Sequence, residues 1–208
     1  MAEKFLRTHT GSLFRPVFHD RLKTGSIPVS PECGLTSPHL PGLSLREASM
    51  SDGIGVWVML REIGPGENGF GNEGYDVPYS HFRSYLQRRI DMKLGLDLPD
   101  GRVPQTTYWL FSREKPVATA KLRHRLTDSL RRIGGHIGYS VRPTERGKSY
   151  GNAVLALTLL AVREKDIEPI LITCNEDNAP SRRIVERNGG VLERTESGVS
   201  YYWVTQCR

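Results

Sequence analysis

The sequence predicts a mixed α/β domain, and three stretches carry that prediction. Thr106-Thr107-Tyr108-Trp109-Leu110-Phe111 and Val117 to Leu122 are β-rich runs separated by Lys115-Pro116, the pattern of a hairpin. Ala153 to Val162 is an apolar run interrupted only by Thr158, the body of an apolar helix. Pro169-Ile170-Leu171-Ile172-Thr173-Cys174 is a continuous apolar strand of the kind found at a sheet centre.

The remaining elements follow in order. Residues 1–42 contain Pro16, Pro28, Pro31, Pro38 and Pro41 among many Ser, Thr and Gly, with no sustained periodicity. They read as a poorly ordered extension, or as a start site placed too far upstream. The domain proper is expected over 43–208. Leu43 to Ala48 alternates like a short strand, and Ser51 or Asp52 is placed to cap a helix ending near Glu62. Five glycines between Gly64 and Tyr75 demand a loop, and a second helix is expected from Ser80 to Lys93. Gly135 to Val141 is a further strand, followed by a tight turn and a helix from about Tyr150 to Lys165. A helix over Ala179–Arg187 stops at Asn188-Gly189-Gly190, and Val191–Glu193 and Val199–Thr205 close the sheet.

Composition narrows the function classes. The 208 residues carry 29 Lys+Arg against 23 Asp+Glu, a net charge of +6. An equal excess is concentrated between Lys121 and Lys148, where eight basic residues face only Asp128 and Glu145. Such a segment attracts polyanions, including a multiply phosphorylated cofactor. It lacks interleaved aromatics apart from Tyr139, so nucleic acid is not the expected partner. No apolar run is long enough to span a membrane. Three widely spaced cysteines make neither a disulfide framework nor a metal site, and a cytoplasmic setting is expected.

The segment joining the strand at 135–141 to the next helix holds the chemistry. In Val141-Arg142-Pro143-Thr144-Glu145-Arg146-Gly147-Lys148-Ser149-Tyr150-Gly151-Asn152, small residues let a ligand approach the backbone, and two cations flank them. The first N–H groups of a helix lack intrahelical partners, and with the helix dipole they form an anion site. Neither a Walker loop nor a dinucleotide fingerprint is present.

The same segment resembles motif A of the GNAT superfamily of N-acetyltransferases, Gln/Arg-x-x-Gly-x-Gly/Ala. Arg146, Ser149 and Gly151 fall on it, with Ser149 in place of the first glycine. Ser149 is expected to avoid a strongly left-handed backbone. The run from Thr173 to Gly190 resembles the family's motif B, with Asn178 and Ser181 at the positions that face the pantetheine arm. Gly134 to Tyr139 and Val103 to Thr107 are similar to a bacterial subgroup of predicted acetyltransferases.

The resemblance implies a mostly antiparallel twisted sheet of about seven strands flanked by about four helices, splayed between its two central strands. It implies acetyl-CoA as co-substrate, a primary amine of a small molecule or peptide as acceptor, and no metal. A homodimer stays open. Tyr139, Ser140 and Val141 would meet the pantetheine arm. Arg146, Gly147, Lys148, Ser149, Tyr150, Gly151 and Asn152 would meet the phosphates. Many relatives carry a tyrosine as thiol acid where this chain has Val185, so Tyr150, Tyr139 or a water must serve, or the thiolate leaves unassisted. For the base, His136 has a suitable intrinsic pKa, and Glu176 and Asp177 follow the second central strand. Glu67, Glu73, Tyr75 and Asp76 in and beside the glycine-rich loop are candidates to receive a cationic amine, and Gln105, Tyr108 and Trp109 to line the cleft, with core packing the alternative for Trp109. A non-catalytic acyl-CoA sensor is the contrasting reading.

Overall fold

The computed structural model describes residues 42–165 and 167–205, so the expected extension over 1–42 lies almost wholly outside the described residues. Seven strands form two sheets. In the first, β1 (Leu43–Glu47), β2 (Gln105–Ser112), β3 (Lys115–Arg123) and β4 (Ile137–Val141) lie in sequence order, each antiparallel to the next. In the second, β5 (Ile170–Asn175), β6 (Val191–Glu196) and β7 (Val199–Val204) take the order β5-β7-β6, again antiparallel. The helices are α1 (Ile54–Ile63), α2 (Phe82–Leu94), α3 (Asp128–Arg132), α4 (Tyr150–Val162) and α5 (Ala179–Arg187).

Strand alternation divides the first sheet into two faces. Tyr108, Leu110, Ala118, Ala120, Leu122 and Ile137 point to one side. There they join Val154, Leu155 and Leu159 of α4 and apolar residues of β5 and β7 in one core. This explains why α4 is apolar all round: both sheets close over it. Fully burying a leucine such as Leu155 contributes roughly 1.5–3 kcal/mol. On the opposite face, Trp109 and Phe111 pack against Val56, Met59 and Leu60 of α1 and Phe82, Tyr85 and Leu86 of α2.

Local expectations are corrected in three places. The cap of α1 is Gly53, with no side-chain cap bond. Asp52 instead accepts from the buried indole Nε1 of Trp109 at 2.8 Å and from the Ser49 amide at 2.8 Å, since satisfying a buried donor outweighs an exposed helix end. The hairpin turns at Arg113-Glu114, with Arg113 at φ 56°, while Lys115 and Pro116 already lie in β3. The five-residue α3, capped by Thr127 whose Oγ1 accepts from Leu130 N–H, is too short for any periodicity to announce it.

The two sheets meet where β4 and β5 begin. His136 N–H donates to Leu171 O at 2.7 Å, and Leu171 N–H donates to His136 Nδ1 at 2.9 Å. Gly134 N–H adds a bond to Thr173 Oγ1 at 2.8 Å. Gly135 is required here: its φ is +56°, and a Cβ would lie 2.5 Å from Leu171 O. Beyond this junction the strands separate, and the cleft between their C-terminal ends is bordered by the starts of α4 and α5. Among the described residues, no helix is long and apolar enough to cross a membrane.

Candidate active site

The cleft encloses about 960 Å³, with β4 on one side and β5 and α5 on the other. Its floor is the turn into α4. None of the backbone N–H groups from Gly147 to Asn152 finds a protein acceptor among the described residues, and Ser149 makes no side-chain cap. Gly147, Ser149, Tyr150, Gly151 and Asn152 all line the cleft. Unpaired donors at the positive end of a 13-residue helix are a fit for phosphate oxygens.

Two expectations for this turn change. Ser149 does adopt the left-handed conformation, at φ 61° and ψ 11°. A glycine there would relieve a strain of about 1–2 kcal/mol, partly offset by its greater unfolded-chain entropy. Ser149→Gly is therefore expected to raise stability by about 0.5–1 kcal/mol, read as a higher urea midpoint; an equal or lower midpoint would show no strain at this position. Lys148 does not line the cleft, because its ammonium is held by Glu145 at 2.9 Å. Glu145 also binds Lys115, and these hydrogen bonds, outweighing burial, hold its carboxyl down at about 2. The pair of lysines thus anchors the turn to the hairpin. Arg146 does line the cleft and spans it, bonded to Glu67 of the glycine-rich loop and to Val141 O at 3.4 Å.

The β4 wall has a definite polarity. Arg142 N–H donates to Val117 O at 2.9 Å, so by alternation Gly138 and Ser140 turn their main chain to β3. Tyr139 and Val141 therefore direct theirs into the cleft, an open strand edge for an extended amide chain. Ser140 borders the cleft with its backbone already committed. Opposite, Ser181 Oγ lies 3.0 Å from Tyr139 Oη. Burial pushes the Tyr139 phenol up to about 12 and raises the Cys174 thiol as well. Asn178 borders the same wall while its Oδ1 caps α5 through Ser181 N–H at 3.2 Å.

The glycine-rich loop covers the other end. Asn72 Nδ2 donates to Leu60 O and Gly64 O, both at 2.7 Å, tying the loop to the end of α1. This places Phe70 beside Gly138 and brings Glu73 to the wall. Glu73 accepts from Arg89 at 2.5 Å and pairs with Arg102 at 3.1 Å. Although burial alone would raise it, Lys121 and the two arginines hold its carboxyl below the usual range. Gln105 lines the cleft as expected. Tyr75 is exposed and outside it, and Tyr108 is in the core, because alternation sets it on the face opposite Gln105.

Lys121 and Arg123, which the sequence marks only as members of the basic segment expected to meet a polyanion, both line this end. Lys121 is 9% exposed, its Nζ donates to Gly71 O at 2.8 Å, and it sits 5.3 Å over the Phe70 ring. The available signal was Lys-Leu-Arg at 121–123, two cations on the same face of a strand otherwise buried.

The expected acids and bases fare unevenly. His136 does not border the cleft; its Nδ1 is occupied by Leu171 N–H, and burial with Arg131 and Arg123 pushes it down to about 4. Glu176 is exposed and outside the cleft. Tyr150 borders it, with its hydroxyl donating to Ser112 Oγ at 3.1 Å. Val185 is fully buried in the core shared with α4, so that position offers no wall to the cleft.

A family model described as an acetyltransferase (GNAT) domain matches residues 76–191, more than half of the chain. The chain belongs to the GNAT acetyltransferase family. Solved structures share the GNAT fold at low identity. RimL, a ribosomal L7/L12 α-N-protein acetyltransferase solved with coenzyme A, superposes with a TM-score of 0.58 at 18% identity, covering 79% of this chain and 94% of its own. A ribosomal-protein-S5-alanine acetyltransferase from Vibrio fischeri gives 0.56 at 15% identity, over 80% of this chain and 94% of its own. YncA from Salmonella typhimurium, solved with its cofactor acetyl-CoA, gives 0.53 at 12% identity, over 79% and 94%. No curated protein matches the chain by sequence. As a GNAT acetyltransferase the chain is an acyltransferase, and among its described residues no group of three or more His, Cys, Asp or Glu is placed to hold a metal ion.

Proposed function

We propose that this chain transfers an acetyl group from acetyl-CoA to a primary amine of a small molecule or peptide, by direct attack with both substrates bound. The observation that carries the reading is the run of unpaired N–H groups from Gly147 to Asn152, in one cleft with the open edge of β4. The first would hold the pyrophosphate, with Arg146 beside it; the second, through Tyr139 and Val141, would hold the pantetheine amides. Acetyl-CoA supplies an activated thioester to the incoming nitrogen. What the chain adds is alignment along β4 and a hydroxyl beside the leaving sulfur. Tyr139 with Ser181 fits that place better than Tyr150, whose proton is directed at Ser112. A phenol pushed up to about 12 keeps its proton at neutral pH and so remains a donor. The carboxylates bordering the cleft, Glu67, Glu73 and Glu145, are each engaged by a cation, which disfavours them as bases. The two ribosomal-protein acetyltransferases among the structural neighbours support including peptide α-amines among acceptors.

Calorimetric titration with acetyl-CoA, using ATP and a short DNA duplex as controls, tests the donor half. Saturable one-site binding of acetyl-CoA alone is expected, and its absence would sink the reading. Binding without turnover across an amine panel would favour the acyl-CoA sensor instead.

A further inference from the structure

We infer that the acceptor amine also carries a carboxylate, and that Lys121, Arg123 and Arg102 recognise it. This deepens the acetyltransferase reading and rests on it. The acceptor end of the cleft holds these three cations, with Arg89 behind them, against the single carboxylate of Glu73. Glu73 is already bound by two arginines, so a cationic substrate has no uncommitted carboxylate to meet there. The other acids of the cleft are committed too: Glu67 to Arg146, and Glu145 to Lys115 and Lys148.

The cations retain donor capacity. Lys121 gives one hydrogen bond, to Gly71 O, out of three available. Arg123 uses only Nη1, which donates to Gly134 O at 2.8 Å and Gly135 O at 3.0 Å. Its Nε and Nη2 make no hydrogen bond among the described residues. Their placement follows from register: Lys121 pairs with Gly138, which has no side chain to screen it, and Arg123 lies two residues along on the same face. An amine positioned in the cleft beside β4 lies about two strand spacings, roughly 10 Å, from the β3 backbone, and the long Lys121 side chain, which lines the cleft, closes part of that distance. Burial pushes Lys121 down to about 8, and Arg89, Arg123 and Arg102 push the same way while Glu73 opposes them. A bound carboxylate would relieve that mutual repulsion.

The test compares matched acceptors. Glycine against glycinamide probes an α-carboxylate, and the tripeptide amides Ser-Asp-Ala and Ser-Asn-Ala probe an acidic side chain. In at least one pair, kcat/KM for the acid should exceed that for its neutral partner by roughly ten- to a hundredfold, the range of a hydrogen bond to a charged group. Whichever pair responds identifies the source of the carboxylate. In Lys121→Met that ratio should collapse towards one, and Arg102→Met, a half-exposed site whose loss spares the core, should reduce it. Ratios near one in both pairs, or ratios unmoved by both variants, would overturn the inference. An equal fall on acid and amide in Lys121→Met would overturn it as well, assigning the lysine to proton transfer. A second readout needs no turnover: N-acetylglycine and the N-acetylated Ser-Asp-Ala amide, each titrated against its neutral counterpart. If acetyl-CoA binds but neither acid is preferred, only this inference fails; if acetyl-CoA does not bind, the donor reading fails first.

Discussion

Replacing Gly151 with valine should weaken acetyl-CoA binding by about a hundredfold, the equivalent of a ~3 kcal/mol steric cost. Gly151 is the second residue of α4 and borders the cleft. A Cβ built there lies 2.8 Å from Ile184 Cδ1 and 3.6 Å from Val141 Cγ2, both on side chains that line the same cleft. The two methyls of valine would then fill the crease between β4, α4 and α5, just where the proposed reading brings the phosphates to the amides of residues 147–152. Ile184 Cδ1 is the far end of a flexible chain and can swing aside, so Gly151→Ala should lose markedly less. The grading from alanine to valine separates a blocked cleft from a helix that merely shifts. Calorimetric titration of both variants, each checked for an intact thermal transition, provides the measurement. Valine at wild-type affinity would mean that the cofactor does not run over this turn.

How much of this was legible beforehand depends on the range of the interactions involved. Helix α5 begins at Ala179 and ends at Arg187 as expected, because Asn178 caps it locally and Gly189 at φ 81° terminates it locally. The strand β5 and the helix α4 were visible because extensive burial leaves nearly continuous apolar runs, broken only by Thr173 in Ile170–Cys174 and Thr158 in Ala153–Val162. The turn into α4, proposed above to hold the phosphates, was recognisable because its unpaired donors belong to the backbone of consecutive residues. The side chains that needed a distant partner were misplaced. Asp52 is claimed by Trp109, fifty-seven residues away, and Lys148 by Glu145 and its link to Lys115. Lys121 acquires meaning only when the loop carrying Phe70, Gly71 and Glu73 folds over β3. A backbone demand can also override a side-chain preference: Ser149 takes a left-handed conformation that its Cβ disfavours.

His136 shows how the same residue type supports two incompatible predictions, and pH separates them. A catalytic base at this position would make His136→Asn nearly inactive. The structure instead gives the imidazole one task, accepting the Leu171 amide where the two sheets join. Burial first, then Arg131 and Arg123, push it down from 6.5 to about 4. Above pH 6.5 it is neutral in both the folded and unfolded chain, and its full contribution to stability is present. Below 6.5 the unfolded chain takes up a proton that the folded chain refuses, so stability falls until about pH 4, by roughly 3 kcal/mol in total. His124, bonded to Thr106 Oγ1 at 2.8 Å, is also pushed down and acts in the same window, so the comparison must be with a variant at 136 alone. Asparagine carries an acceptor oxygen near the position of Nδ1 but does not titrate. His136→Asn should therefore remain folded and active, with a clearly shallower loss of stability between pH 6.5 and 4. His136→Ala, which strands the buried Leu171 N–H, should lose about 1–3 kcal/mol at pH 7.5. Urea unfolding at several pH values, with turnover measured on the same samples, decides the matter. An asparagine variant as acid-labile as the native protein would remove His136 from the stability argument, and one that is folded but inactive would return it to catalysis.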